Sequence, residues 1–82
     1  MRTMLREQRL RRWWVYIVPK GENFYVGITT DPPNRLRQHS SPTSFYVKGP
    51  LERDQAIRLE KKLKKCTRLE KWALIREFSQ QE

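Results

Sequence analysis

The strongest constraint on the fold is a pair of short strand-like runs near the start of the chain. Residues 13–18 and 24–28 are rich in β-branched and aromatic side chains, which favour extended backbone. Between them, residues 19–23 carry turn residues, and Gly21 tolerates the positive φ that tight turns need. Residues 13–28 are therefore predicted to form one β-hairpin.

A helix and a short third strand are predicted to follow the hairpin. Asp31 has a short polar side chain that suits a helix cap, and Pro32 suits a first helical turn. We therefore expect a helix over residues 32–39, ended by a serine-rich break. Residues 45–48 are again aromatic and β-branched, so they are predicted to form a third strand, closed by the glycine and proline that follow.

The last third of the chain is predicted to be helical. In residues 52–66 the apolar side chains recur at steps of three and four and form one stripe of Ala56, Leu59, Leu63 and Cys66. The lysines of this helix mostly face outward: Lys61, Lys62, Lys64 and Lys65. Thr67 suits the cap of a final helix over residues 68–78. That helix carries Leu69, Trp72, Ala73 and Arg76 along one side.

The length of 82 residues predicts one domain, because a second would have no core of its own. We expect a single domain over residues 13–82, preceded by a basic leader over residues 1–12. The leader is either a frayed end or a phosphate-binding arm. The longest apolar run, residues 13–18, is far shorter than the ~20 residues of a membrane-spanning helix. A single cysteine excludes an internal disulfide, so a reducing cytoplasm is the expected compartment.

The charge balance points to a polyanionic partner. The chain holds 18 Lys plus Arg against 9 Asp plus Glu, a formal net charge of +9. Nucleic acid is the commonest partner for such a chain, and DNA is the expected one; no membrane partner is expected. The predicted contacts are basic residues of the leader, the first helix, the third strand and the helix over residues 52–66: Arg11, Arg12, Arg37, Lys48, Lys61, Lys64 and Lys65.

A few polar residues within apolar or structured segments are candidates for chemistry: Tyr16, Tyr25, Arg35, His39 and Glu60. Taken singly, each tyrosine is more often a core or cross-strand aromatic. Arg35 and His39 are four residues apart and share one helix face, which can present a guanidinium and an imidazole to one phosphate. Glu60 lies at the edge of the apolar stripe, where a carboxylate needs a partner or a cation.

Four segments in order resemble the GIY-YIG nuclease family: VYI at residues 15–17, YVGITTD at 25–31, NRLRQH at 34–39 and AIRLEK at 56–61. An arginine eight residues after Gly27 and a histidine four residues later make the pattern specific. The resemblance extends from residue 14 to residue 75 and is greatest to small stand-alone members. It implies an α+β fold: a small three-stranded antiparallel sheet flanked by helices.

The resemblance also implies an activity, hydrolysis of a phosphodiester with one divalent cation, Mg²⁺ or Mn²⁺. The family's site residues fall here on Tyr16, Tyr25, Arg35 and His39 around the scissile phosphate, with Glu60 on the metal. The general base stays open between Tyr16 and His39, because an unperturbed phenol titrates near ~10 and an unperturbed imidazole near ~6.5.

The chain departs from the family pattern in three places. Trp14 stands where the first motif has glycine, and Ile28 stands where some members have a lysine. No asparagine follows Asn34, so the Asn that several repair members place after the glutamate has no counterpart.

Three functions compete on the sequence. The first is a metal-dependent DNA endonuclease, and the second is a non-catalytic nucleic-acid-binding module that keeps the nuclease fold. The third is a protein-interaction domain for an acidic partner. With no second domain expected, a protein partner or self-association would help to choose the target. The joint presence of Tyr16, Tyr25, Arg35 and Glu60 favours the first function.

Overall fold

The structure, a computed structural model, describes residues 12–40 and 42–80. Its strands are β1 (Trp13–Lys20), β2 (Asn23–Thr29) and β3 (Tyr46–Leu51). Its helices are α1 (Pro32–Gln38), α2 (Arg53–Lys64) and α3 (Arg68–Ser79). The predicted α+β class and the three-stranded antiparallel sheet are confirmed. Of the predicted leader, residues 1–11 lie outside the described residues.

The hairpin forms the middle and one edge of the sheet, whose strand order is β2-β1-β3. Its turn is shorter than predicted, because β1 continues to Lys20 and β2 begins at Asn23, which pairs with it. Only two residues are left for the turn, and Gly21 supplies the positive φ, +62°. Pro19 fits within β1 because the pairing with β3 ends at Ile17, so no neighbour on that side needs its missing N–H.

The third strand corrects the prediction that Gly49 and Pro50 end it. β3 continues through both residues to Leu51. The pairing with β1 shifts between Val15 opposite Lys48 and Trp13 opposite Leu51, so β3 holds one extra residue there. Such a bulge on an edge strand accommodates Pro50 and a close approach to Gly49, neither of which could be predicted from the local sequence. The Trp14 indole packs directly over Gly49.

Alternation along β1 and β2 divides their side chains between two faces of the sheet. On one face, Val15, Ile17 and Val26 form the core with Ala56, Leu63 and Ile75 from the helices. On the other face lie Tyr16 and Val18, each 1% exposed, opposite Gly27 and Tyr25 of β2. The helices α2 and α3 therefore cover the first face. No helix in the described ranges is long and apolar enough to cross a bilayer.

The stripe predicted on α2 is confirmed, with Ala56 and Leu63 buried and Leu59 and Cys66 packed against the core. Thr67 caps α3 as predicted, because its Oγ1 accepts from the Glu70 N–H at 3.2 Å. The side of α3 that packs most closely holds Ile75, which is buried, with Leu74 and Phe78 partly buried. Leu69 is 81% exposed and Trp72 38%. This side of α3 faces β3 and the core that α2 shares.

Candidate functional site

Three rings from distant parts of the sequence meet on the second face of the sheet: Tyr16 of β1, Tyr25 of β2 and His39, which ends α1. We call them the aromatic cluster. The ring centroids of Tyr16 and Tyr25 are 5.9 Å apart, and the two ring planes are stacked at 21° to each other. His39 lies 5.6 Å from the first and 4.8 Å from the second. Tyr25 is 40% exposed, so the cluster opens to solvent on its side.

The strand register creates the tyrosine pair. Tyr16 lies opposite Gly27 and Val18 lies opposite Tyr25, so the two tyrosines are diagonal neighbours on one face. Gly27 has to be glycine for this arrangement. A Cβ there would lie 2.8 Å from Tyr16 Oη and 2.9 Å from Tyr25 Cε1, and both rings would have to shift. This steric role was missed in the sequence, although the glycine of the YVG segment was the available signal.

His39 is brought to the cluster by the short helix α1. The Asn34 N–H donates to Asp31 Oδ1 at 3.3 Å, and the Asp31 N–H donates to Thr29 Oγ1 at 3.0 Å, so the start of α1 is tied to the end of β2. Seven residues later the helix ends and His39 acts as its C-cap. The imidazole Nε2 lies 3.3 Å from Tyr16 Oη, within hydrogen-bond distance.

Burial decides the protonation of Tyr16. It raises the pKa of the phenol to about 12; the neighbouring Tyr25 adds to the rise, and the Arg35 guanidinium opposes it. Arg35 thus acts electrostatically on the cluster from α1, one helical turn before His39. At neutral pH the phenol keeps its proton, and its O–H can donate to Nε2 of His39 when that nitrogen carries no hydrogen. The structure therefore relates four predicted residues to one another: Tyr16, Tyr25, Arg35 and His39.

Glu60 is placed differently. It belongs to α2, whose buried residues pack against the first face of the sheet, whereas Tyr16 and Tyr25 lie on the second. Its side chain is 21% exposed, and its Oε2 lies 3.6 Å from Lys64 Nζ. Within residues 12–40 and 42–80 the contact found for its carboxylate is thus this ion pair. A shared site with the aromatic cluster stays a prediction.

The donor set for a metal ion is small. The described residues contain no group of three or more His, Cys, Asp or Glu side chains that could hold one. A single partly exposed carboxylate nevertheless fits the way Mg²⁺ often binds, through one or two carboxylates with waters and substrate phosphates completing the shell. Glu60 fits that mode, provided that Lys64 moves aside.

The predicted nucleic-acid contacts lie on both sides of the sheet. Lys61, Lys64 and Lys65 are exposed on and just after α2, while Arg37 is exposed on α1 and donates to Asn34 Oδ1 at 3.1 Å. Lys48 is exposed on β3, and Arg12 is exposed ahead of β1. Arg11 lies outside the described residues. Their role in binding stays a prediction.

Comparison with known proteins gives a family profile and several relatives. The profile of the GIY-YIG catalytic domain matches residues 12–48, which hold the aromatic cluster and Arg35. A UPF0213 protein of Klebsiella pneumoniae is 36% identical over 76 residues, which cover 77% of this chain and 72% of that protein. A UPF0213 protein of Citrobacter koseri is 33% identical over 78 residues, covering 79% of this chain and 78% of that protein.

A third relative is the UPF0213 protein YhbQ of Salmonella typhimurium, 32% identical over 78 residues, with 79% of this chain and 78% of that protein covered. The names of these relatives state no activity. No solved structure shows significant similarity to the chain.

Proposed function

Because this chain belongs to the UPF0213 family within the GIY-YIG nuclease superfamily, we propose that it is a divalent-metal-dependent endonuclease that hydrolyses phosphodiester bonds in DNA. The observation that carries the proposal is the hydrogen-bonded pair of Tyr16 and His39, with Tyr25 stacked beside it and Arg35 acting on it. A module that only binds nucleic acid has no need for a buried phenol joined to an imidazole.

The Tyr16–His39 pair suits proton transfer from water better than it suits the formation of a phenolate base. With its pKa raised to about 12, the Tyr16 phenol is a poor source of phenolate at neutral pH. It can instead take a proton from the attacking water at Oη while its own proton passes to Nε2 of His39. Such a relay makes His39 the final proton acceptor and Tyr16 the group that orients the water.

Arg35 has a separate task at the phosphate. A guanidinium presents several N–H donors in a planar fork, which matches two non-bridging phosphate oxygens. Placed one turn before His39, it would hold the phosphate next to the phenol and stabilise the negative charge that grows during attack. Tyr25, 40% exposed, would line the same side of the bound phosphate.

Glu60 would hold the cation, Mg²⁺ or Mn²⁺. When bound, such an ion polarises the phosphate and stabilises the leaving oxygen. The 3.6 Å ion pair with Lys64 competes for the carboxylate, so cation binding requires that pair to open. This ion pair is also the observation that favours the alternative function, a binding module that keeps the fold.

The positive charge supports a nucleic-acid substrate. A formal net charge of +9 favours contacts to the phosphate backbone that depend little on base sequence. The exposed lysines at the end of α2, together with Arg12, Arg37 and Lys48, would supply them. Each neutralised phosphate of a duplex should contribute roughly 0.9 to the slope of log K against log salt.

The proposal is tested by nicking of a supercoiled plasmid with and without Mg²⁺ or Mn²⁺, using wild type and Glu60→Gln. Cleavage that requires the cation and disappears in Glu60→Gln is expected, because an amide of nearly the same shape is a much poorer ligand for Mg²⁺. Binding to the plasmid in the absence of metal should persist, since the substitution removes a negative charge near the phosphates.

Asp54→Asn is the matched control, because it changes the same charge on the same helix. Asp54 is exposed and paired with Arg58 at 3.0 Å, so cleavage should stay at the wild-type rate. If wild type shows no metal-dependent cleavage while it still binds DNA, the binding module replaces the enzyme. If Glu60→Gln cleaves like wild type in nuclease-free preparations, the metal assignment is wrong.

A further inference from the structure

The outward side of α3 carries an exposed indole between two arginines. Trp72 is 38% exposed, although large aromatic rings usually lie inside small domains. Arg68 and Arg76 are both exposed and lie four residues before and after it, so all three side chains occupy one helix face. We call these three residues the α3 stripe.

The indole is supported without being covered. Phe24 of β2 meets it in a T-shaped contact with ring centroids 5.1 Å apart and planes at 76°. The Lys71 ammonium lies 5.8 Å from the centroid of the same phenylalanine. These contacts hold the indole in place while more than a third of its surface stays open to solvent. A rigid, open aromatic ring is the type of surface on which a flat ligand stacks.

The α3 residues on the side of the stripe carry positive charge, because the acids of this helix lie on its other side. Glu70 and Glu77 line a cavity of about 480 Å³ between β3, α2 and α3, which Leu63 and Leu74 also line. On a helical wheel, at about 100° per residue, they fall on the far side of the helix from Trp72. Two exposed arginines therefore lie one helical turn before and after the ring on α3, with a third cation, Lys71, against its aromatic neighbour.

We propose that the α3 stripe is a second nucleic-acid site, which binds a single strand by stacking one unpaired base on Trp72. Arg68 and Arg76 are about 12 Å apart along the helix axis, and their long side chains can reach phosphates on either side of one stacked nucleotide. Aromatic stacking combined with cationic contacts to the backbone is the general way in which proteins hold single strands.

A second copy of the chain is a poorer occupant for the same surface. Each chain carries a formal net charge of +9, so pairing two of them through a face with exposed arginines adds repulsion. A nucleic-acid strand removes that repulsion instead. The net charge therefore selects a polyanion with an aromatic component over a protein of the same sequence.

The position of the stripe also relates it to the aromatic cluster. Phe24, which supports Trp72, is followed in β2 by Tyr25, and β2 is an edge strand of the sheet. A strand that stacks on Trp72 can pass around this edge and reach the cluster on the other face. This part rests on the proposed endonuclease function, whereas binding to the stripe does not.

The test measures binding in EDTA, so that cleavage plays no part. The probe is a fluorescein-labelled oligothymidylate of about 12 nucleotides, with a blunt duplex of equal length beside it. Trp72→Leu keeps an apolar side chain against Phe24 but removes the stacking face. It should weaken single-strand binding between about 5-fold and about 100-fold and weaken duplex binding less. Trp72→Phe should retain part of the affinity.

The arginines are tested by the double variant Arg68→Gln, Arg76→Gln. For the single strand, log K falls as log salt rises, and this fall should become shallower by about 0.7 for each phosphate that is no longer neutralised. Arg58→Gln is the matched control, since it makes the same change at an exposed arginine of α2 that pairs with Asp54 at 3.0 Å and lies outside the stripe, and its affinity for the single strand should equal that of wild type. The thermal midpoint of every variant is measured to exclude unfolding.

Three results would overturn the inference. Trp72→Leu, correctly folded, could bind the oligothymidylate as tightly as wild type. The strand could quench the tryptophan fluorescence of Trp72→Leu as strongly as that of wild type, which would place the stacked base at another tryptophan. Wild type could sediment as a dimer that Trp72→Leu abolishes, which would make a second copy the occupant. Loss of plasmid nicking alone, with single-strand binding intact, would count only against the endonuclease proposal.

Discussion

The two faces of the sheet are equally buried along the central strand β1 but differ in their chemistry. Along β1, Val15 and Ile17 are 0% exposed, and Tyr16 and Val18, which alternate with them, are 1% exposed. The first pair packs against Ala56, Leu63 and Ile75, a set made entirely of hydrocarbon side chains. On the second face Tyr16 keeps a phenol within hydrogen-bond distance of an imidazole and beside a guanidinium.

The difference shows that burial by itself does not separate core from site in a small sheet. Apolar contacts add stability roughly in proportion to the buried area, so the first face is expected to carry most of the free energy of folding. A buried polar group gains little net stability even when its hydrogen bond is made. Tyr16 is thus better explained by chemistry than by stability, and substitutions on the two faces should have different effects.

The largest expected effect is that of Tyr16→Phe on cleavage. The ring and its stacking on Tyr25 are kept, while the hydroxyl that orients water and contacts His39 is removed. Loss of a general acid–base group typically costs about 10²–10⁴-fold in rate, so we expect a reduction of that size, measured by plasmid nicking. The free energy of unfolding should change by no more than about 1 kcal/mol.

The control for that comparison is Tyr46→Phe, which removes a hydroxyl from β3 opposite Ile17, on the first face of the sheet rather than the face of the cluster. Burial, and then the negative charge of Glu77, raise the pKa of Tyr46, so its hydroxyl is also in a special environment. Cleavage by Tyr46→Phe at the wild-type rate is expected. Equal reductions in the two variants would mean that the second face is structural.

On the first face, Ile17→Ala should act on stability. Removing buried methyl groups from a packed core costs about 2–5 kcal/mol, because the neighbouring side chains collapse only partly into the space. Chemical denaturation of wild type and variant measures this change. The fraction that stays folded should still cleave, since Ile17 points away from the aromatic cluster. A change below about 1 kcal/mol would contradict the assignment of this face as the main core.

The smallest effect concerns stability at alkaline pH. The Tyr16 phenol ionises near ~10 in the unfolded chain, and burial raises its pKa to about 12 in the folded chain. Between these values the folded state binds more protons than the unfolded state, so stability that is complete below about pH 10 is lost as the pH rises towards 12. The contribution from Tyr16 should be at most about 2–3 kcal/mol.

Tyr16→Phe isolates this contribution, because the two proteins differ only in the Tyr16 hydroxyl. Urea denaturation near pH ~8 and near pH ~12 should show a smaller decrease of stability in the variant. The tyrosinate absorbance of wild type should likewise show one phenol, missing in the variant, that ionises near 12. Parallel decreases in both proteins would mean that Tyr16 is more accessible to solvent than its 1% exposure indicates.

Features that depend on neighbouring residues were predictable. The hairpin, α1 with its Asp31 cap, and α3 with its Thr67 cap follow from side chains a few positions apart. The apolar stripe of α2 follows from helical periodicity. The residues of the aromatic cluster were also predicted, because their positions in the family motifs identify them without knowledge of the fold.

By itself, the sequence determined the type and order of the elements, since these arise from local backbone preferences and from the spacing of apolar residues. Tertiary structure alone decided how the elements meet. The bulge that lets β3 continue through Gly49 depends on β1 beside it, and the side of α3 that packs depends on β3 and α2. The distance of 3.3 Å between Tyr16 and His39 depends on the turn from β2 into α1. Contacts between residues far apart in the chain follow from the packing of whole elements, which no single segment encodes.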